Sequence, residues 1–408
     1  MVTKMLPMLV DVWRHRLGQL HCRRIVGVTW VLALIVLPIA WAGDQVADMM
    51  VYRNGGLAWL RDLPLYVDFP GGLGGPDLPF TYPPMAALLF TSLTVAPWWL
   101  VHACYVMVSF TALSLVCVVI VGRVRPRLMW TVGPIAAIVL LQIEPVRSTF
   151  ALGQVNLVLM ALIVLDCLVV KPKWRGVLIG IAAAVKLTPA IFVLYLLFKR
   201  DWRAAMTSGV TFAGLAVAGF LLAPKDSVEF WFRAMLNPGS NQTLWYVYNQ
   251  SLHGALLRLL PSTWVESLLW VCLSIVVVVL GAIVAQRAQD DIEPMLAIAA
   301  VGLLISPISW SHHWVWCVPA ILCFAMRATT WLQRSALLGV AAVFFLQPAD
   351  WLPCGYGEGQ ACSLLQHAIA DAYVWTGIGL LVALAVLRRS PIRTQRPGFA
   401  AFANASRT

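Results

Sequence analysis

The sequence predicts an all-α protein that crosses the membrane many times. Of its 408 residues, 61% are hydrophobic and only 12% are charged, and the mean hydropathy is +0.81. A soluble globular chain is about 45–50% apolar and about a quarter charged. The composition therefore excludes a soluble domain, a disordered chain and a small disulfide-rich module. At about 20 residues per span plus loops, this length accommodates roughly 10–13 helices, and we expect about twelve.

The net charge of +11 could indicate a nucleic-acid partner, but its distribution indicates membrane topology instead. Of the 29 Lys and Arg residues, 22 lie in short segments between apolar runs that we assign to one membrane face. Such an excess marks the cytoplasmic side. We therefore predict cytoplasmic termini at 1–24 and 391–408, one transmembrane domain over 25–390, and no nucleic-acid partner.

The apolar runs define the spans in order. The predicted crossings are 25–42, 98–121, 129–144, 155–170, 176–198, 203–222, 265–284, 294–305, 315–326, 336–345 and 373–387. The first follows five basic residues and is not followed by a small-residue cleavage site, which favours an anchor over a signal peptide. Two long loops, 43–84 and 223–263, are predicted on the outer side, and the aromatic and aliphatic content of the first favours an ordered loop.

The run 176–198 is one span long, yet basic residues flank both ends. A single crossing would place Lys199 and Arg200 outside. A helix broken at Lys186-Leu-Thr-Pro189 into two short arms resolves this conflict, because Pro189 removes a helical hydrogen bond. Such breaks are tolerated where they line a cavity. Counting this segment twice gives about twelve spans.

Three polar residues follow the first span on the outer side. Asp48 is either a solvated or helix-capping residue or a carboxylate that acts as general base toward a hydroxyl, and its spacing alone decides nothing. Tyr52 and Tyr82 could line a sugar site, since sugars stack on aromatic faces. They could equally belong to an interfacial aromatic belt.

Seven basic residues lie outside the segments assigned to the cytoplasmic face, and Lys186 is the most informative of them. They are Arg53, Arg61, Arg147, Lys186, Lys225, Arg233 and Arg258. A lysine inside an apolar segment is costly and indicates function by default. It is either a paired structural residue or a cation that contacts the phosphate of a membrane-embedded lipid. Arg147 is grouped with Glu144, Gln154 and Asn156, where one span leaves the membrane and the next enters.

Two further motifs lie on the predicted outer side. These are Asn249-Gln-Ser-Leu-His-Gly254 and Ser306-Pro-Ile-Ser-Trp-Ser-His-His-Trp314. Adjacent His312 and His313 suit phosphate or sugar binding, and without a further ligand pattern we expect no metal. The chain has no nucleotide-binding motif, and we expect no cofactor. Cys354 and Cys362 share one predicted outer loop and are candidates for a structural disulfide.

Taken in order, six motifs resemble those of glycosyltransferase family 87, multispanning enzymes of the GT-C fold that use polyprenyl-phosphate-mannose. The motifs begin at Asp48, Phe80, Gly153, Lys186, Asn249 and Ser306, and the resemblance covers about residues 25–390. The run from Ser306 to His313 is similar to that of mycobacterial and corynebacterial members. Among these the chain is most similar to members that extend phosphatidylinositol mannosides.

The resemblance implies roles for particular residues. The catalytic Asp of the family falls on Asp48, and its donor- or acceptor-site histidine falls on His312, with His313 beside it. From charge and position we add Lys186, Arg147 and Arg53 as candidates for the donor phosphate or sugar. The candidates for the acceptor or sugar are Tyr52, Tyr82, Gln154, Asn249, Gln250 and His253.

The implied reaction is inverting transfer of mannose from a β-linked mannosyl phosphate to a mannose 2-hydroxyl, forming an α-1,2 linkage on the periplasmic face of the plasma membrane. We expect a monomer that binds a lipid-linked donor and a glycolipid acceptor. Two alternatives remain open. One is α-1,2 branching of lipomannan or lipoarabinomannan. The other is a transporter of lipids or lipid-linked sugars, for which repeated halves and polar residues at the membrane midplane would be expected.

Overall fold

The computed structural model describes residues 24, 26–41, 46–66, 78–236, 244–260, 262–352 and 363–386. Within these ranges the regular elements are helices, and an isolated bridge pairs Asn249 with Trp310. The predicted all-α class is confirmed for this part of the chain. The candidate disulfide partners Cys354 and Cys362 lie outside the described residues.

Eighteen α-helices of the described residues are used below and are numbered in chain order. They are α1 (Val26–Ala40), α2 (Ala47–Leu60), α3 (Pro84–Phe90), α4 (Trp98–Val124), α5 (Met129–Leu140), α6 (Glu144–Leu152), α7 (Asn156–Leu168), α8 (Val177–Val185), α9 (Phe192–Phe198), α10 (Trp202–Leu222), α11 (Pro224–Phe232), α12 (Leu252–Leu259), α13 (Trp264–Arg287), α14 (Ile292–Ile305), α15 (Cys317–Arg327), α16 (Trp331–Leu346), α17 (Leu364–Ala370) and α18 (Ala372–Val386).

Among the described helices, α4, α10 and α13 are each long and apolar enough to cross a membrane. Two bent pairs, α5 with α6 and α17 with α18, meet at 71° and 70° and can each form one broken span or a re-entrant loop. Other apolar helices are shorter: α7 has 13 residues and is about 20 Å long. The chain is a multi-pass membrane protein, with three to five spans by length and composition in the described part, and the count of about twelve stays a prediction.

The predicted break at Lys186–Pro189 is confirmed. Helix α8 ends at Val185, the backbone of Lys186 is extended (φ −146°, ψ 132°), and a 3-10 turn over Thr188–Ile191 leads into α9. The 3-10 turn begins where Pro189 could not donate to a continuing α-helix. The break leaves the Lys186 side chain between two short helices rather than on the surface of one.

The two segments predicted as outer loops both contain helices, and their placement on the outer side stays a prediction. In the first, α2 runs through Gly55 and Gly56. A side chain at Gly56 would come within 2.6 Å of the Phe90 carbonyl oxygen, so glycine permits the close packing of α2 on α3. In the second, α11 and α12 form ordered helices. The two glycines of α2 therefore serve helix packing.

The core is centred on α4, α7 and α14, whose inner faces share one large hydrophobic cluster. About two thirds of the most apolar stretch of α4 is buried, against 11% for α10 and 22% for α13, so the last two present mostly apolar outer surfaces. A separate aromatic cluster joins α2 to α3 and the segment before it; its rings include Tyr52, Phe80, Tyr82 and Phe90. This second cluster supports one wall of the candidate site.

Candidate active site

Asp48 and Tyr52 lie one turn apart on α2 and therefore share a face of that helix. Tyr52 is buried and stacks on Phe90, with ring centroids 4.6 Å apart. Asp48 is half-buried in the first turn of the helix, where the helix dipole favours a negative charge. The helix thus presents a carboxylate and a phenol side by side.

The turn between α6 and α7 brings Gln154 to this pair. Gly153 has a left-handed backbone (φ +76°), and a side chain there would come within 2.5 Å of the Met49 Cβ. The Gln154 Oε1 accepts a hydrogen bond from the Tyr52 hydroxyl at 2.8 Å, and Asp48 is hydrogen-bonded to the Gln154 side chain. Glycine at position 153 is therefore what allows Gln154 to reach α2.

Lys186 joins this group from the helix break. Its Nζ donates to Asn156 Oδ1 at 3.2 Å and lies 3.1 Å from His313 Nε2. The same Nζ lies 5.5 Å from the centre of the Tyr82 ring, within cation–π distance. These direct contacts are to neutral groups, and Asp48 acts on Lys186 only through space. Within the described residues the Lys186 ammonium is therefore not neutralised by a direct salt bridge and can attract an anion.

His312 is buried and its Nε2 has no hydrogen-bond partner within the described residues. Its carbonyl oxygen accepts from Asn156 Nδ2 at 3.0 Å, which fixes the backbone of the turn. Burial, and then the positive charge of Lys186, lower the pKa of His312 to about 3, so the ring is neutral. A neutral imidazole protonated at Nε2 can donate to an incoming acceptor.

Electrostatics make the Asp48 carboxyl more basic than an ordinary one. Burial raises its pKa, and the hydrogen bond from Gln154 and the charge of Lys186 only partly oppose this effect. A carboxylate with a raised pKa is a better proton acceptor near neutral pH. The site therefore combines one base with one cation.

A largely apolar cleft with a cavity volume of about 70 Å³ lies between α7, α9 and α14. Its lining includes Leu159, Ile163, Phe192, Leu303 and Trp316. Asn156 and His313, both in contact with Lys186, lie on the same lining. The cleft therefore lies next to two residues that contact the Lys186 ammonium. Within the described residues, no three His, Cys, Asp or Glu side chains are grouped to hold a metal ion.

Glu144, which the sequence placed beside Arg147, supports the 3-10 turn Ser311–Trp316 that carries His312 and His313, called the histidine turn below. It is buried, and its carboxylate accepts hydrogen bonds from Ser148 (2.5 Å), Ser311 (2.8 Å) and Tyr373 (2.8 Å). Ser311 immediately precedes His312. Glu144 therefore ties α6 and α18 to the histidine turn and does not face a ligand.

Asn249 and Gln250 also hold backbone. The Asn249 side chain donates to the carbonyls of Leu244 and Pro307 and accepts from the Ser309 N–H. Gln250 donates to the carbonyls of Val247 and Ala370 and accepts from the Tyr373 N–H. Both side-chain amides are engaged with the protein: Asn249 supports the segment from Pro307 to Ser309, and Gln250 ties Val247 to Ala370 and Tyr373. Their role as sugar ligands stays a prediction.

Three other predicted residues are not brought into the cluster. Arg147 is exposed. Arg53 lies over the Trp98 ring, with its guanidinium carbon 5.7 Å from the centroid. His253 stacks on Trp270 at 4.3 Å and lies 3.5 Å from Glu266. Their ligand roles stay predictions, since their described contacts do not join them to Asp48 or Lys186.

Sequence reasoning missed Asn156 as a ligand-positioning residue, although it named Asn156 as part of a polar group. Its side chain bridges Lys186 and the His312 carbonyl. A polar residue at the very start of an apolar helix is the signal that could have identified it. The residues that the structure brings together are Asp48, Tyr52, Tyr82, Gln154, Asn156, Lys186, His312 and His313.

Comparison with known proteins gives a consistent result. The model of glycosyltransferase family 87 matches residues 80–307, which is more than half of the chain. A polyprenol-phosphate-mannose-dependent alpha-(1-2)-phosphatidylinositol mannoside mannosyltransferase of Mycolicibacterium smegmatis is 33% identical, covering 90% of this chain and 92% of the relative. Its namesake in Mycobacterium tuberculosis H37Rv is 34% identical, covering 95% and 97%. A phosphatidylinositol pentamannoside mannosyltransferase of M. tuberculosis CDC 1551 is 37% identical, covering 71% of each chain.

Proposed function

Because this chain belongs to glycosyltransferase family 87, we propose that it transfers mannose from polyprenyl-phosphate-mannose to the 2-hydroxyl of a mannose on a phosphatidylinositol mannoside. The product is α-1,2-linked, and the reaction takes place on the periplasmic face of the plasma membrane. The relatives' names support this donor and this acceptor class. The observation that carries the proposal is that Lys186 acts electrostatically on both Asp48 and His312, while its contact partners Asn156 and His313 line a largely apolar cleft.

The cleft between α7, α9 and α14 is proposed to hold the isoprenoid chain nearest the phosphate. Its lining by Leu159, Phe192 and Leu303 suits a branched hydrocarbon, whose burial contributes about 0.8 kcal/mol per CH₂. A chain lying there would bring its phosphate to Asn156 and His313, beside Lys186. The hydrophobic anchor would thus position the charged group.

Lys186 and His312 are proposed to bind the phosphate. The ammonium can donate to a phosphate oxygen in a charge-assisted hydrogen bond, and the unpartnered Nε2 of His312 can donate a second. Negative charge grows on the phosphate as the bond to the sugar breaks. Donors already aimed at that charge stabilise the transition state more than the ground state.

Asp48 is proposed as the base. It would accept the proton of the acceptor 2-hydroxyl while that oxygen attacks the anomeric carbon from the face opposite the phosphate. The new carbon–oxygen bond forms as the anomeric carbon–phosphate oxygen bond breaks, which leaves polyprenyl phosphate, an inverted α-mannoside and a protonated Asp48. Phosphate is already a good leaving group, so cations suffice in place of a general acid.

The test uses the purified full-length protein in detergent with polyprenyl-phosphate-mannose and a panel of phosphatidylinositol mannosides and lipomannan. We expect one hexose to be added to a phosphatidylinositol mannoside, with an α-1,2 linkage by nuclear magnetic resonance. Transfer to lipomannan alone would replace the proposed acceptor with the branching alternative. Movement of a lipid across vesicle membranes without any hexose transfer would contradict the enzyme and support a transporter.

A further inference from the structure

The two ends of the Gln154 amide face different partners. Its Oε1 accepts from the Tyr52 hydroxyl at 2.8 Å, and its side chain is also hydrogen-bonded to Asp48. Since a carboxylate can only accept hydrogen bonds, the group that faces Asp48 is the Nε2 amide donor. The tyrosine therefore fixes which way the amide points.

The hydrogen bonds continue beyond Tyr52 to Tyr82. The Tyr82 hydroxyl lies 2.7 Å from the Tyr52 hydroxyl and 3.4 Å from Gln154 Oε1. Because Tyr52 uses its proton toward Gln154, the Tyr82 proton can go to the Tyr52 oxygen or to the Gln154 oxygen. In both cases the two tyrosines hold the oxygen end of the Gln154 amide, directly or through Tyr52, and linked hydrogen bonds polarise one another.

The backbone of Gln154 is held as firmly as its side chain. Its N–H donates to the Thr149 carbonyl at 2.9 Å, and its carbonyl accepts from the Tyr105 hydroxyl at 3.1 Å. Gly153 permits the left-handed turn that brings Gln154 against α2. The side chain is 4% exposed, so little room remains in which it could rotate toward a sugar.

We propose that Gln154 is a positioning residue that orients the Asp48 carboxylate for proton abstraction, and that Tyr52 and Tyr82 fix Gln154 for this purpose. The inference rests on the proposed function of Asp48 as the base and assigns these three residues a role other than sugar binding.

The arrangement predicts a measurable change in pH dependence. Burial raises the pKa of Asp48, and the Gln154 hydrogen bond opposes that rise because it stabilises the anion. Removing the amide should therefore raise the pKa of Asp48 further. A base is active only when deprotonated, so the acidic limb of the rate profile should move to higher pH, and the lost activity should return in part as the pH rises.

The experiment measures hexose transfer against pH for wild type, Gln154→Met, Tyr52→Phe and Tyr82→Phe in the full-length protein. In Gln154→Met we expect the acidic limb of the pH–rate profile to move upward by about one pH unit. The transfer rate at pH values below the limb then falls about tenfold. Tyr52→Phe should move it less and Tyr82→Phe least. Donor KM should change less than kcat. Tyr52→Phe keeps the ring stacked on Phe90, so it tests the idea even if Gln154→Met fails to fold.

Gln250→Met is the matched control, because Gln250 is another buried glutamine whose amide contacts backbone and no carboxylate. It should leave the acidic limb at the wild-type pH. An unchanged limb in both Gln154→Met and Tyr52→Phe, or an equal shift in Gln250→Met, would overturn the positioning role. If wild type transfers no mannose at any pH, the proposed function itself fails, and the two failures are thereby distinguished.

Discussion

Two polar groups flank the histidine turn, and they differ in what their hydrogen bonds leave over. In one, Asn249 and Gln250 spend their side-chain amides on backbone groups of neighbouring segments. In the other, Lys186 has only neutral direct contacts, and the Nε2 of buried His312 has no partner within the described residues. The first group is internally complete, whereas the second has hydrogen-bonding capacity left for a ligand.

The difference explains why polar content alone does not locate a site in such an apolar chain. Burying an unpaired polar group costs free energy, so most buried polar groups have partners and hold the fold together. A group that stays unpartnered needs a reason, and a ligand supplies one. Substitutions in the two groups should therefore have different consequences: loss of turnover in one and loss of stability in the other.

The largest effect is expected from Asp48→Asn. The amide cannot accept the acceptor's proton, and general base catalysis contributes about 10²- to 10⁴-fold, so we expect transfer to fall by about 10³-fold. Hexose transfer by mass spectrometry provides the measurement. The thermal melting curve serves as the control and should stay close to wild type, because Asp48 is only half-buried. Transfer within tenfold of wild type would contradict the assignment of the base.

Lys186→Met should follow, with a loss of about 10²- to 10³-fold, because one preorganised donor to developing charge is removed. If the ammonium binds phosphate in both the ground state and the transition state, kcat should fall and the donor KM should rise. Lys225→Met is the matched control, since Lys225 is exposed and lies in the first turn of α11. Equal losses in the two variants would indicate a nonspecific effect of removing positive charge.

A smaller effect is expected from narrowing the apolar cleft with Gly302→Val. A Cβ at this position would approach the Ile191 side chain to 3.0 Å and reduce the space between α14 and the helix break. Losing room for one or two methylene groups should raise the KM of a long-chain donor about five- to tenfold. A mannosyl phosphate with a much shorter isoprenoid should be affected less. Equal effects on both donors would argue against the cleft as the lipid site.

The smallest effect on turnover is expected from Gln250→Met. The substitution leaves the carbonyls of Val247 and Ala370 and the N–H of Tyr373 without partners, which costs about 1–3 kcal/mol of folding stability. Thermal unfolding should move to lower temperature, while donor KM stays within about twofold of wild type. A large rise in KM without loss of stability would support Gln250 as a ligand.

The features that could be predicted from the sequence are those that rarely occur inside an apolar segment, because they are energetically unfavourable there. Lys186 and Pro189 stood out because charge and proline rarely occur inside an apolar segment, and the structure confirms the helix break there. The spans α4, α10 and α13 followed from hydropathy in the same way. The helices in the two segments predicted as outer loops were missed, because α2 depends on packing against α3 more than on its own composition.

The arrangement of the candidate site could be predicted only in part. Asp48 and His312 could be named from the family resemblance, but the approach of Gln154 to Asp48 depends on a turn between α6 and α7 that a sequence does not place. Whether an amide serves backbone or ligand is also a tertiary property. Asn249 and Gln154 are alike as residues of short motifs, yet one supports the Ser309 backbone and the other faces Asp48.

Donor binding and hexose transfer, measured on the same preparation of Asp48→Asn protein, test most directly whether Asp48 and the phosphate-binding residues have separate roles. If Lys186 and His312 hold the phosphate while Asp48 acts only on the acceptor, the variant binds polyprenyl-phosphate-mannose with a Kd within about twofold of wild type and transfers essentially no mannose. Normal transfer would contradict Asp48 as the base. A variant that no longer binds the donor would contradict the division of the site into a phosphate-binding part and a proton-accepting part.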